Sequence, residues 1–427
     1  MSAEKFSTFD VLNAFFDDGS FQETDAYLKS GDGTAEAVTG FGSVDGIPVF
    51  AFVQNIDACG GAMSKAQAKK ITKLYNAALK VGAPVVGFYD SVGGRLEQKY
   101  ELLSAYGEIL RKSAKLSGVV PQISVVLGNC LGTSALVAAS ADYIIMDKDA
   151  KLSADTTGQN ATADDNLNSG VASFICEGAQ ACIDKAKALL SYFPANNLEP
   201  APAFETVPAY ENPDKLPKYF ADENSILCVK GGFGEPVCTA FGRVNGYPVG
   251  IVVTKGGAIS ADSAKKIAKH VYFCDAFSIP VITLVDADSF ENIADASKLV
   301  SVYAGATTAK ISVISGTAVG SVYIALAGAT SGADMVYALP DAVVSPIAPK
   351  AAAFILDDSI ADAPVADQDK LADSYVKANL NAVKAAEDGY IDDIVEPAEL
   401  RDKLVAALDM LSSKRVATLP KKHTTIL

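Results

Sequence analysis

The residue types that most often do chemistry are scarce in this chain, which narrows the chemistry open to it. Two His among 427 residues, His270 and His423, cannot build a His-rich metal site and leave few candidates for a general base. Seven Cys stand at 59, 130, 176, 182, 228, 238 and 274. None forms a Cys-x-x-Cys pair, which argues against zinc and against a thioredoxin-like dithiol, and reads as buried free thiols in a reducing cytosol. What recurs is a main-chain pattern. The strand–glycine–helix unit Val125-Val-Leu-Gly128-Asn-Cys-Leu-Gly132-Thr-Ser-Ala-Leu-Val returns as Val313-Ile-Ser-Gly316-Thr-Ala-Val-Gly320-Ser-Val-Tyr-Ile-Ala. A helix entered through glycine offers N–H groups that lack an intrahelical acceptor, at the positive end of its dipole. Where water is excluded, such donors hold an oxyanion strongly, and glycine lets a ligand approach the backbone. The alternative is that these glycines only allow close helix–strand packing.

The unit belongs to a longer repeat. Phe41-Gly42 followed by Gly46-x-Pro48 matches Phe241-Gly242 followed by Gly246-x-Pro248, an offset of 200. Lys69-Lys70-Ile71 matches Lys265-Lys266-Ile267, and Asp90 matches Asp286, both at 196. Ile123-Ser124-Val125 matches Ile311-Ser312-Val313 at 188. The order is kept while the offset shrinks, as expected for two homologous halves with small deletions in the second. Within a half, apolar strand-like runs (48–53, 84–89, 123–127, 143–146) alternate with helical periodicity, as over 64–80. This predicts an α/β fold in two tandem copies. Prolines at 194, 200, 202, 208, 213 and 217 mark a linker over 196–235, between domains at 1–195 and 236–427. The tail over 367–415 reads as helical and charged.

Composition adds exclusions. Lys and Arg number 36 against 51 Asp and Glu, a net charge of −15, which argues against nucleic acid as a partner. With 49% hydrophobic residues the chain can bury large cores. The uncharged stretches 117–141 and 311–333 carry Gly, Ser and Thr and read as buried strand–turn–helix units rather than membrane spans. The first residues show no basic-then-apolar signal pattern, so a cytoplasmic location is expected. His270, on a helix beside lysines, reads as a surface or interface residue; His423 lies in a terminal Lys-Lys-His.

Taken together, the motifs resemble the carboxyltransferase subunits of biotin-dependent acyl-CoA carboxylases and of the related sodium-pumping acyl-CoA decarboxylases. The resemblance runs nearly end to end. It is carried by Val38-Thr-Gly-Phe-Gly42, Lys80-Val-Gly-Ala-Pro-Val-Val-Gly87, Leu189-Leu-Ser-Tyr-Phe-Pro-Ala-Asn-Asn197, Phe273-Cys-Asp-Ala-Phe-Ser-Ile-Pro280 and Gly389-Tyr-Ile-Asp-Asp-Ile-Val-Glu-Pro397.

The resemblance implies two crotonase-like (ClpP/crotonase) domains and transfer of a carboxyl group between carboxybiotin and the α-carbon of a short acyl-CoA, in either direction. It implies a homo-oligomer, a hexamer, with the active site between the first domain of one subunit and the second domain of another. Biotin would arrive on a biotin carboxyl carrier protein. A biotin carboxylase or a membrane decarboxylase pump subunit would be the further partner, and membrane association would come only through partners. Carried onto this chain, Gly132 and Thr133 hold the thioester oxygen, and Gly320 and Ser321 hold the ureido oxygen of biotin. Main-chain donors then meet both charges, so neither a side-chain base nor a metal is required. The implied substrate-binding residues are Gly60, Gly61, Gly93, Gly94 and Arg95, the aromatic walls Tyr106 and Tyr323, and Ile324. Arg95 also reads as a structural ion pair, and the two Tyr as core packing.

The chain departs from the family at the expected site. Thr133 and Ser321 stand where a second glycine is usual, and Ile324 replaces an Asp. From Asp286 to Ile311 there are 25 residues, against 33 from Asp90 to Ile123, so the biotin side is trimmed by eight. The segment 153–168, near the expected CoA pocket, is unusually polar. These departures leave an alternative open, a catalytically degenerate paralogue acting as a structural or regulatory subunit. A biotin-independent hydratase or isomerase is a third reading, weakened because the helix 132–141 offers no carboxylate for proton transfer.

Overall fold

A computed structural model of the chain describes residues 6–31, 33–209 and 215–416. The chain divides into two compact units. One is Met1–Pro202 with Lys230–Phe233; the other is Ala203–Val229 with Gly234–Leu427. The proline-bearing stretch 196–235 is thus shared between them.

The first unit contains, in chain order, α1 (Thr8–Phe15), β1 (Gln22–Thr24), β2 (Ala37–Val44), β3 (Ile47–Gln54), α2 (Lys65–Val81), β4 (Val85–Tyr89), α3 (Glu101–Leu116), β5 (Gln122–Val126), β6 (Asn129–Leu131), α4 (Thr133–Ala139), β7 (Tyr143–Asp147), β8 (Lys151–Ser153), β9 (Phe174–Cys176) and α5 (Ala179–Leu190). Its seven-stranded sheet has the order β1-β2-β3-β4-β5-β7-β9. The pairings from β3 onward are parallel. Every residue of β4, β5 and β7 is buried, as parallel strands covered on both faces require. On one face Phe52, Ile71, Leu74 and Ile109 join β3, α2 and α3 in one core. On the other, Phe15 of α1 meets Phe88 edge-on at 5.2 Å. Each such side chain contributes roughly 2–3 kcal/mol.

The second unit repeats the plan with β10 (Leu227–Val229), β11 (Cys238–Val244), β12 (Tyr247–Val253), α6 (Ala261–Ala276), β13 (Val281–Ala287), α7 (Ile293–Gly305), β14 (Lys310–Val319), β15 (Met335–Ala338), β16 (Val343–Ser345), β17 (Asp393–Ile394) and α8 (Leu400–Leu411). Its sheet order is β10-β11-β12-β13-β14-β15-β17, and β16 adds to β14. The registers carry the repeat. Gly42 pairs Val49 in the first hairpin and Gly242 pairs Val249 in the second. Val86 pairs Ile123, and Ile282 pairs Ile311. Ser64 and Ser260 cap α2 and α6 in the same way, each accepting from the N–H three residues on. Helices between residues 349 and 387 are inserted before β17. No described helix is long and apolar enough to cross a membrane.

Two sequence expectations are corrected. His270 is not at the surface: it is 3% exposed and packs 4.9 Å from the Phe241 ring. It lies on the apolar stripe of α6 with Ile267, Val271 and Cys274, at the place Leu74 takes in α2. Burial lowers its pKa to about 4. Nor are the thiols all buried, since Cys59 and Cys228 are exposed and Cys238 is half-buried.

Candidate active site

In open parallel sheets ligands bind beyond the carboxyl ends of the strands. In the first unit three loops leave that edge: Gly60–Gly61 after β3, Asp90–Arg95 after β4, and Gly128–Gly132 after β5. Gly61 has φ +67°, and a Cβ there would lie 2.5 Å from Asp90 O. This close approach lets the first two loops bond. Val92 N donates to Gly60 O at 3.0 Å, Met63 N to Gly93 O at 2.8 Å, and Ser91 Oγ to Gly61 O at 2.9 Å. A Cβ on Gly94 would be 3.6 Å from Tyr106 Oη, which in turn lies 2.8 Å from Ser134 Oγ. Gly94, Tyr106 and the first turn of α4 are therefore brought together, and burial raises the Tyr106 pKa.

Arg95 is held by protein rather than left open for substrate. Its Nη1 donates to Glu36 Oε1 and to Ser30 Oγ, both at 2.9 Å, and its Nε donates to Glu97 at 2.6 Å. Glu36 has no exposed surface and also accepts from Ser64 Oγ, the cap of α2. The ion-pair reading of Arg95 fits this geometry: it ties the loop after β4 to the start of α2.

The glycine-entered turns are alike in both units. Gly132 (φ +69°) donates its N–H to Ser153 O, and Gly320 (φ +46°) donates to Ser345 O, each at 2.8 Å. The short parallel pairings Leu131–Ser153 and Val319–Ser345 cause this. Of each expected donor pair, the glycine N–H is therefore already engaged. Thr133 and Ser321 open the following helical turns, are exposed, and have no intrahelical acceptor for their N–H. Behind each turn sits a carboxylate. Asp90 Oδ1 accepts from Asn129 N at 3.1 Å, and Asp286 Oδ1 accepts from Thr317 N at 2.9 Å. Gly128 and Gly316 make room for them: a Cβ would come within 2.2 and 2.4 Å of the respective side chains.

The second unit also supplies residues that the sequence reading missed. Gly256 and Gly257, with φ +81° and +72°, stand 196 positions after Gly60 and Gly61, so the repeat offset itself could have found them. Phe290 takes the place of Gly94: Ile259 pairs Phe290 as Met63 pairs Gly94. Glu291 stands where Arg95 does, its N–H donating to Ile259 O as that of Arg95 donates to Met63 O, so the loop is kept without its arginine and the eight missing residues fall after it. Tyr323 Oη donates to Tyr390 O at 2.7 Å, which fixes that ring within its own unit. Ile324 is 51% exposed. A separate cavity of about 450 Å³ lies beside Asp90 between α1 and α5; of the residues predicted for the site, none lines it.

Two α/β units of one topology, each with a glycine-entered helical turn at the carboxyl edge of its parallel strands, define a duplicated crotonase-like scaffold. The model of the carboxyl transferase domain matches residues 3–426, and the chain belongs to that family. It is 34% identical to the methylmalonyl-CoA decarboxylase subunit alpha of Propionigenium modestum, over 99% of this chain and 93% of the relative. It is 32% identical to the propionyl-CoA carboxylase carboxyltransferase subunit of Haloferax mediterranei, with the same coverage. Among solved structures, transcarboxylase 12S, a hexamer seen with hydrolysed methylmalonyl-CoA, superposes with a TM-score of 0.91 at 31% identity, covering 99% of this chain and 93% of that one. The alignment to the first relative spans 483 positions, so at least 56 of them (483 less 427) have no residue here. This is a shortened member of its family.

Proposed function

We propose that the chain is the carboxyltransferase subunit of a biotin-dependent acyl-CoA carboxylase or decarboxylase, moving a carboxyl group between biotin and the α-carbon of a short acyl-CoA. The observation that carries the assignment of residues is the matched pair of exposed first-turn donors, Thr133 and Ser321, in two units of one family fold.

Thr133 N–H would receive the thioester oxygen. Negative charge grows on that oxygen as the α-carbon gains carbanion character, whether a proton or a carboxyl group leaves. A donor fixed at a helix start needs no reorganisation at that moment and is worth about 10²–10³ in rate. Gly94 leaves the approach open, and the Tyr106–Ser134 bond holds the wall beside it. Ser321 N–H, with Gly256 and Gly257 shaping the facing loop, suits a single carbonyl-type oxygen such as the ureido oxygen of biotin. Biotin, borne on a separate carrier protein, supplies the carboxyl group or receives it. Gly132 and Gly320 act as positioning residues, since their N–H groups hold the turns closed.

The likeness to hexameric transcarboxylase 12S supports a homo-hexamer. In it the first unit of one subunit and the second unit of another would share each active site. A biotin carboxylase or a membrane decarboxylase pump would complete the complex. The chain would work in the cytoplasm and reach a membrane only through those partners.

The test is purified protein with free biotin or a biotinylated carrier and a panel of acetyl-, propionyl-, methylmalonyl- and glutaconyl-CoA. Biotin-dependent carboxyl transfer or decarboxylation is expected on at least one. Turnover of none, by a folded protein, overturns the reading in favour of a non-catalytic subunit.

A further inference from the structure

The seven cysteines carry no Cys-x-x-Cys spacing, yet the fold brings two of them together. Cys228 lies on the edge strand β10 and Cys238 begins β11. Cys228 pairs Ala240 in the antiparallel register, so Cys238 is its diagonal neighbour on the same face of the sheet. Their sulfurs are 3.9 Å apart, and the Cys238 thiol points at Cys228 Sγ. Cys228 is exposed and Cys238 half-buried, so a small solute can reach the pair.

From this geometry we propose that Cys228 and Cys238 form a peroxide-sensitive dithiol, which hydrogen peroxide converts to a disulfide joining β10 to β11. The surroundings suit the first step. The hydrogen bond from Cys238 lowers the Cys228 pKa to about 6, against desolvation, with Lys266, Lys255 and Lys218 adding smaller help. The same bond raises the Cys238 pKa, which makes it the resolving thiol. The Cys228 thiolate attacks the peroxide O–O bond, forming an S–O bond and releasing hydroxide, which takes a proton to become water. Cys238 sulfur then attacks the Cys228 sulfenic acid, forming S–S and releasing a second water. Two thiols and one peroxide give one disulfide and two waters, and two electrons pass from sulfur to peroxide oxygen.

A contrast lies in the same chain. Cys176 and Cys182 also interact, but both are buried at 8% and 0% exposure. Cys59 is exposed but belongs to the other unit. Neither site combines access with a resolving partner.

The experiment treats the intact chain with hydrogen peroxide, counts thiols and maps cross-linked peptides by mass. Two thiols lost per chain and one Cys228–Cys238 cross-link are expected, with Cys176 and Cys182 still reduced. Before oxidation, Cys228 should alkylate roughly threefold faster at neutral pH than an unperturbed cysteine. The variant Cys238→Ala, checked for folding by circular dichroism, should accumulate a dimedone-trapped sulfenic acid at Cys228. Peroxide that carries Cys228 of the intact chain to the sulfinic acid while Cys238 stays free would overturn the proposal. So would loss of Cys59 alone.

Discussion

Arg95 Nη1 lies 2.9 Å from Oε1 of Glu36, a carboxylate with no exposed surface. This bond locks the glycine loop after β4 to the cap of α2. Breaking a buried pair by removing one partner costs about 3–5 kcal/mol. Here Arg95 is 22% exposed, and Ser30 and Ser64 still serve Glu36, so Arg95→Ala should cost less, about 2 kcal/mol. The check is the denaturation midpoint, with Arg95→Lys expected to recover part of the loss because it keeps the charge. An unchanged midpoint in Arg95→Ala would show that the pair does not hold the loop.

Removing only a main-chain donor tests the oxyanion assignment. Proline is well tolerated at the first position of a helix and has no N–H. Thr133→Pro should therefore fold normally and lose about 10²-fold or more in kcat. Thr133→Ala, which keeps the N–H, should stay near the parent. Ser321→Pro and Ser321→Ala should behave likewise on the biotin side. If Thr133→Pro retains full kcat, the thioester oxygen is not held there.

His270 predicts an acid-sensitive second unit. Unfolded, an imidazole binds its proton below about pH 6.5; folded, His270 binds it only near pH 4, because burial disfavours the cation. Between these values the unfolded chain holds more protons, so this contribution to stability is full above pH 6.5 and falls as pH drops toward 4. The window is worth roughly 3 kcal/mol. His270→Leu, which imitates Leu74, should flatten the dependence between pH 6.5 and 4. An unaltered acid slope in that variant would remove His270 as its cause.

The repeat was legible because its marks are local. Gly46 and Gly246, with φ +77° and +82°, and Asp90 and Asp286 each sit at a turn or strand end that favours one residue type. Long-range pairing left no such mark. Strands β8 and β16 are three residues each, too short to show alternation, yet they take up the Gly132 and Gly320 N–H groups. The meeting of Cys228 and Cys238 depends on the register of a hairpin entered from the proline-rich stretch. Burial of His270 depends on which stripe of α6 faces the sheet, and the flanking lysines suggested the wrong one. In the second unit the loss of eight residues could be counted from spacing, but that they fall after Glu291, the counterpart of Arg95, shows only in the backbone bonds. The repeat offset of 196 puts Phe290 at the place of Gly94, and the strand pairing agrees.

The duplicated carboxylate–glycine contact gives a last prediction that separates packing from chemistry. A methyl group at position 128 would sit 2.2 Å from Asp90 Oδ1 and must expel that side chain, which holds Asn129 N. Gly128→Ala should cost about 1–3 kcal/mol through overpacking and should also disturb the turn leading to Thr133. Adding Asp90→Ala removes the clash, so the double variant should be more stable than the two single effects summed, by about 1 kcal/mol or more of coupling. Activity should not return with it, because Asn129 N remains without its acceptor and the turn is no longer pinned. The same pair in the second unit, Gly316→Ala with Asp286→Ala, should repeat the pattern, since Gly316 meets Asp286 at 2.4 Å. Strictly additive effects in both units would mean that the glycines serve the turn conformation alone and not the carboxylates beside them.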